Sequence, residues 1–247
     1  VLILDEHAIL ELGALQMKTG LLAAVAGLAV STMASATFTG YVVTSTNVTN
    51  SGQNLTVYTV WARFNGPTDT VLNAYNFAAV GGSALGGFWH KDNAEYNSGV
   101  LQQEFGTWSP GQTGSATLNR PFDSYLTIGN QAVGTNPTQA DPSWPASEGG
   151  WDRPDLAGNG TIGWFNPNPP NLQGRVGQGA NTATDVRLGQ FVLSANDSAA
   201  RTYSLTIGYN SGVAGAPVQF GDGSFSLPAP GALALLGLAG FAGRRRR

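Results

Sequence analysis

The residues able to do chemistry are few. No cysteine is present, which excludes disulfides, thiol nucleophiles and thiolate metal sites. Two histidines, His7 and His90, are too few for a three-histidine zinc centre. A Ser-His-Asp triad would have to use His90, within Trp89-His90-Lys91-Asp92, yet no Gly-x-Ser-x-Gly elbow offers a nucleophile. His90 is therefore expected to be a surface or loop residue. Glycoside hydrolysis needs two carboxylates facing each other across a cleft. Glu95, Glu104, Asp123, Asp141, Glu148, Asp152 and Asp155 are available for it, and spacing alone brings no two of them together.

Calcium is the one metal whose oxygen ligands the composition supplies. Asp152-x-x-Asp155 with Asn159 forms an oxygen-rich cluster unlike an EF-hand loop. The same residues also suit a solvated, turn-rich loop. Carbohydrate binding is a further possibility. Trp144, Trp151 and Trp164 offer flat apolar faces for sugar rings, and Asn159, Asn166, Asn168 and Asn171 offer amides for hydroxyls. Tryptophans in such a loop also serve to pack it onto a sheet.

These groups need a frame, and the composition says which kind. Of 247 residues, 11% are charged and 34 are glycine, against usual shares of about 25% and about 7%. Such a balance favours an extracellular β-protein. Residues 37–230 hold seven basic and twelve acidic residues. The body is thus mildly acidic, and the basic footprint of a nucleic-acid binder is missing.

Period-2 runs predict strands. In Asn54–Phe64, Tyr58, Val60, Ala62 and Phe64 share one face, while Val57, Thr59, Trp61 and Arg63 share the other. That reads as a half-buried strand. Similar runs fall at 38–49, 72–80, 99–105, 116–118, 125–128, 186–195, 202–209 and 218–227, with a short one at 161–165. The expected fold is all-β: a single antiparallel β-sandwich, jelly-roll-like, over residues 37–227. It is flanked by an N-terminal signal-peptide helix and a C-terminal hydrophobic sorting helix. A long loop, 134–180, holds seven of the thirteen prolines and three of the six tryptophans. A loop of that length is usually functional or disordered; here the tryptophans predict that it folds against the sandwich.

The ends carry addresses. Met17-Lys18-Thr19 precedes an apolar run of eleven residues, 20–30, and then Ala34-Ser35-Ala36. Charge, apolar core and A-x-A site come in the order of a secretory signal. Residues 17–36 are read as that signal, cleaved after Ala36, and residues 1–16 as an over-extended start. At the other end Pro228-Ala229-Pro230 precedes the apolar run 231–243 and Arg244, Arg245, Arg246 and Arg247. Thirteen helical residues span about 20 Å, short of the ~30 Å bilayer core. The arginines would hold the cytoplasmic end.

This tail resembles the PEP-CTERM sorting signal of exosortase-processed bacterial surface proteins, with Ala229 where the family has its glutamate. The resemblance covers about twenty residues. It implies an exosortase-type membrane protease as partner, transient inner-membrane anchoring and a link to exopolysaccharide. Three functions are expected in order: a non-catalytic surface or extracellular-matrix protein, a polysaccharide-binding module using the loop tryptophans, and a glycoside hydrolase or lyase.

Overall fold

The structure is a computed structural model that describes residues 36–91, 99–111, 119–131, 134–142, 144, 150–152, 155–156 and 162–230. All of these belong to one unit beginning at Ser35. The leader 1–16, the signal segment up to Ala34, the 116–118 run, Asn159, the 231–243 run and Arg244–Arg247 lie outside the described residues.

The described strands are β1 (Phe38–Asn50), β2 (Gln53–Phe64), β3 (Thr70–Val80), β4 (Trp89–His90), β5 (Gln102–Gln103), β6 (Tyr125–Leu126), β7 (Gln139–Ala140), β8 (Ile162–Phe165), β9 (Asp185–Ser194), β10 (Arg201–Asn210) and β11 (Gln219–Leu227). Every pairing is antiparallel. One sheet runs β1-β2-β9-β6, a second β11-β10-β3-β8-β7, and β4-β5 make a separate ribbon. This is the expected all-β sandwich. Two 3-10 turns are described, Arg120–Phe122 and Pro169–Asn171, each with a proline in its first two positions, where the fixed φ suits the first turn.

The core lies between the two large sheets. From the first come Tyr58, Val60, Ala62, Phe64, Leu188 and Phe191; from the second come Val71, Phe77, Trp164, Tyr203, Leu205, Ile207 and Phe225. Phe77 stacks on Tyr203 at 4.9 Å and lies parallel to Phe191 at 6.2 Å between ring centres. Such ring pairs add about 0.5–1.5 kcal/mol beyond the area they bury. At one side β1 leans over β11. A Cβ on Gly221 would sit 2.5 Å from the Phe38 ring, and one on Gly223 would sit 3.1 Å from Tyr41. The aromatic rings of one sheet therefore fill the space that side chains would take on the other.

Phenols tie the sheets to their loops. Tyr41 donates to Leu205 O at 2.8 Å, Tyr58 to Pro228 O at 2.5 Å and Tyr203 to Ala84 O at 2.5 Å. Burial pushes the Tyr58 and Tyr203 hydroxyls up to about 12, so they stay donors at physiological pH.

Three expectations need correcting. The outer face of β2 is covered too: Val57, Thr59 and Trp61 are buried. The cause is tertiary. Trp89 and Leu101 pack on Leu55, Val57 and Val192, and the Arg187 guanidinium lies 4.9 Å from the centre of the Trp61 ring. The 99–105 run pairs only at Gln102–Gln103, because its partner β4 is just two residues long. Body contacts also run past Leu227: Pro228 accepts from Tyr58, and Pro230 is buried.

Candidate functional site

The tryptophans come first, because the sugar-binding expectation rested on them. Trp164, on β8, is 1% exposed; its Nε1 donates to Thr127 O at 2.9 Å and its ring lies 6.4 Å from Phe77. Trp144 is 2% exposed and meets the half-buried Trp151 edge-on, at 5.5 Å and 74°. A stacking platform needs two exposed, coplanar faces. These three rings provide none, since filling space between loop and sheet removes the faces from water. They pack the loop. Trp151 also accepts from Trp108 N at 2.8 Å through its carbonyl.

Two of the acids, Glu104 and Asp155, come close on either side of Gly86, whose added Cβ would lie 3.1 Å from Glu104 Oε1 and 3.5 Å from Asp155 Cβ. Asp152 is exposed, and the half-buried Asp155 precedes Leu156, whose N–H donates to Leu85 O. Among the described residues no group of three or more His, Asp or Glu side chains could hold a metal ion. Of the hydrolase candidates, Glu104 accepts from Gly87 N at 2.8 Å. Asp123 is fully buried and accepts from Lys91 N at 3.1 Å. Glu95 and Glu148 lie outside the described residues.

His90 is the clearest departure from expectation. It is fully buried, with Nδ1 3.5 Å from Asp123 Oδ1 and its ring edge-on to Trp108 at 4.8 Å. β4 carries it inward because the ribbon lies on the first sheet, with Ser124 N donating to Trp89 O at 3.1 Å. A serine, Ser124, follows Asp123. Its hydroxyl donates to Trp89 O at 2.6 Å and accepts from Val192 N at 2.9 Å. Both hydrogen-bonding roles are taken, so it serves as a strut between β4 and β9.

The site that does emerge is a cleft of about 410 Å³ built from amides. Three segments form it: the turn after β6, the stretch before β7, and the 3-10 turn at Pro169–Asn171 with its sequel. Its lining includes Asn130, Thr135, Asn168, Asn171, Gln173 and Gln178, and none of the described lining residues is charged. Gln173 anchors the floor. Its Nε2 donates to Ile128 O at 2.7 Å, Asn136 Oδ1 at 3.0 Å and Thr138 Oγ1 at 3.2 Å. The buried Asn136 donates in turn to Thr127 Oγ1 and Gln131 O, both at 2.9 Å. Asn171 Oδ1 accepts from Gln173 N at 2.8 Å and from Asn166 Nδ2 at 2.9 Å. Backbones meet directly beneath: a Cβ on Gly129, which has φ +66, would fall 1.8 Å from Gln173 O. Only glycine fits that approach.

Around the rim, the exposed side chains of Asn168, Gln178 and Thr135 have no hydrogen-bond partner among the described residues. Each amide offers two donors and one acceptor oxygen. With no charge among its described lining residues, the cleft suits an uncharged ligand rich in hydroxyls. The sequence had pointed to Asn166, Asn168 and Asn171 as amides for hydroxyls; of these, Asn168 and Asn171 line the cleft. Asn130, Thr135, Gln173 and Gln178 were missed. The one signal for them was the high amide content of the segment, which does not separate rim residues from floor residues.

The expected sorting prolines lie at the end of the body. Pro228 and Ala229 are half-buried and Pro230 is buried. Ala36, at the expected signal-cleavage site, is 1% exposed and belongs to the core. Among the described residues no helix is long and apolar enough to cross a membrane. Compared with known proteins, the chain matches no family model, no curated protein and no solved structure.

Proposed function

We propose that the chain is exported, sorted at the cell envelope and retained as a non-catalytic surface or extracellular-matrix protein associated with exopolysaccharide. The observation that carries this is the order of segments at its C-terminus. β11 ends at Leu227, and Pro228-Ala229-Pro230, the apolar run 231–243 and Arg244–Arg247 follow without a spacer. A small-residue and proline motif, a short apolar stretch and a basic end make a stop-transfer element held by its charges. An exosortase-type membrane protease is the partner that would process it.

Support also comes from how the body uses its reactive groups. His90, Asp123 and Ser124 pack the ribbon, Glu104 holds a backbone turn, and Arg63 pairs with Asp185. Fractionation of exporting cells tests the reading. Neutral residues at 244–247 should abolish retention at the inner membrane and processing. Deletion of 231–247 should release a folded body that keeps the Tyr58–Pro228 bond. Normal processing of the neutral variant would overturn the anchoring mechanism.

A second reading is favoured by the cleft: a module that binds a neutral polysaccharide through the unpartnered amides of Asn168 and Gln178. The probe is a soluble neutral glucan, with a polyuronate as the charged comparison. Binding of the glucan that is lost in an Asn168→Ala, Gln178→Ala double variant supports it. Equal binding of both polymers, or of both protein forms, refutes it.

A further inference from the structure

The first strand presents an edge that nothing described in the molecule covers. β1 is the outer strand of its sheet. It is joined to β2 by Ser51 and Gly52, with φ 50° and 76°, the two positive angles of a type I′ hairpin turn. The pair closing such a turn, Asn50 and Gln53, is hydrogen-bonded. Counting back, Val48, Thr46, Thr44 and Val42 also direct their N–H and C=O groups at β2. Val43, Ser45, Asn47 and Thr49 must then direct theirs away. Among the described residues nothing pairs with them.

Edges of this kind invite another strand, and proteins usually guard them with lysine, proline, a bulge or shortness. Here the sequence from Val43 to Thr49 is Val-Thr-Ser-Thr-Asn-Val-Thr, without a charge or a proline. The one register irregularity lies far off, between Phe38 and Gly40. The other sheet edges differ. β6 and β7 are two residues long, and β11 carries Asp222 and lies beneath the rings of Phe38 and Tyr41.

We propose that this edge is a self-association site, at which β1 of a second copy pairs antiparallel about a two-fold axis through Ser45. What favours a second copy is that the open groups alternate along a stretch without charge or proline, so that the strand can match itself about a two-fold. A two-fold at Ser45 sets Ser45 against Ser45 and Val43 against Asn47 of the other chain. Every one of those residues then gives and receives a hydrogen bond, about six in all for three residue pairs. Between them Thr44 meets Thr46, and Val42 meets Val48, on the outer face. These are β-branched neighbours of the kind that stabilise cross-strand contact. On the axis itself a charge at residue 45 would face its like, and a charge elsewhere in the stretch would lie within a few residues of its copy. The stretch carries none. Thr44, Ser45, Thr46 and Asn47 are all exposed, and the Ser45 side chain has no partner among the described residues. The result is one continuous sheet through two bodies, and it holds whether or not the sorting reading does.

The absence of cysteine makes the test clean. The full chain carrying Ser45→Cys as its only thiol is expressed in exporting cells and treated with a mild oxidant. Ser198→Cys, at an exposed turn, is the control. The expected result is a disulfide-linked homodimer for Ser45→Cys and monomer for Ser198→Cys. In parallel, the purified wild-type chain should show a concentration-dependent dimer by light scattering. Ser45→Lys, which sets two ammonium groups together on the axis, should be monomeric with an unchanged circular dichroism spectrum. Equal cross-linking of the two cysteine variants overturns the proposal. So does a wild-type monomer up to about 0.5 mM, far above micromolar dissociation constants. Oligomers that grow beyond a dimer, or cross-linking of the Ser45→Cys variant to a different protein, overturn it as well.

Discussion

Phe77, in the sandwich, touches the rings of Trp164, Phe191, Tyr203 and Phe225. Gln173, beneath the cleft, touches a carbonyl, an amide and a hydroxyl. The two regions are ordered by different physics. Between the sheets, area removed from water and ring packing supply the stabilisation. In the segments around the cleft there is little apolar area to bury, and side-chain amides take over the role that strand ladders play elsewhere. Asn136, Asn166, Asn171, Gln173 and Asn181 bind backbone groups that would otherwise be left unsatisfied. A long irregular segment can therefore hold its shape through side-chain-to-backbone bonds while leaving a few rim amides to meet a ligand.

Removing a ring from the sandwich should have the largest effect. Phe77→Ala is expected to cost about 3–5 kcal/mol, seen as a fall in the denaturant midpoint with an unchanged slope. The loss should be global, since four rings lose a neighbour at once.

Gln173→Ala should cost less, about 1–3 kcal/mol, the penalty for leaving buried acceptors unsatisfied. Its signature is local. Amide exchange should accelerate at residues 128–138 and stay slow in β2, β9 and β10. If β10 loosened equally, the two regions would be one cooperative unit and the contrast would fail.

The seam between β2 and β9 offers a third probe. Arg63 Nε lies 2.7 Å from Asp185 Oδ1, and its Nη2 lies 3.0 Å from Oδ2. The Arg63 hydrogen bonds hold the Asp185 carboxyl below its ordinary value. A carboxyl depressed in the folded state contributes stability above its unfolded pKa of about 3.9. That contribution is lost as pH falls through the folded value. Because half of Arg63 faces water, it should be under about 1 kcal/mol. Burial raises Asp69, which has the opposite sign: the penalty appears as pH rises through its folded pKa. The difference between wild type and Asp185→Asn, measured from pH 2 to 6, isolates Asp185. It should be largest at pH 6 and vanish at the acid end.

The smallest stability change belongs to Asn168→Ala with Gln178→Ala, within about 0.5 kcal/mol. Those amides hold nothing in the fold. Unfolding curves that coincide with wild type, together with lost glucan binding, would sharpen the division between holding and binding amides.

The strands that carry most of the core were legible because alternation over ten residues leaves one choice of face. β2, β9 and β10 fall within one or two residues of where the sequence sets them. The strands β4 and β7 were not legible. Two residues carry no period, and their pairing is decided by neighbours far along the chain. His90 escaped for the same reason, since its burial follows from where the ribbon lies. Of the two readings of the loop tryptophans, packing and sugar stacking, the burial of Trp144 and Trp164 favours packing, and exposure is a quantity that composition does not contain. The amides of the cleft were visible as a type, but the hydrogen bonds that divide floor from rim depend on backbone positions set by the glycine and proline turns.

The wiring of the first sheet also sets a clock. β2 forms its hairpin with β1 at once, across a two-residue turn. Its other edge waits for β9: Arg63 and Asp185 are 122 positions apart. At about 5–20 residues per second of synthesis, roughly 6–24 s separate the emergence of the two. Throughout that interval the hairpin has apolar residues on both faces and open hydrogen-bonding groups on both edges. Closure of such distant pairs is also slow in itself. A holdase that binds extended apolar segments would find its longest-lived target in Leu55–Phe64, and the yield of native protein should depend more on that chaperone than on the stability finally reached.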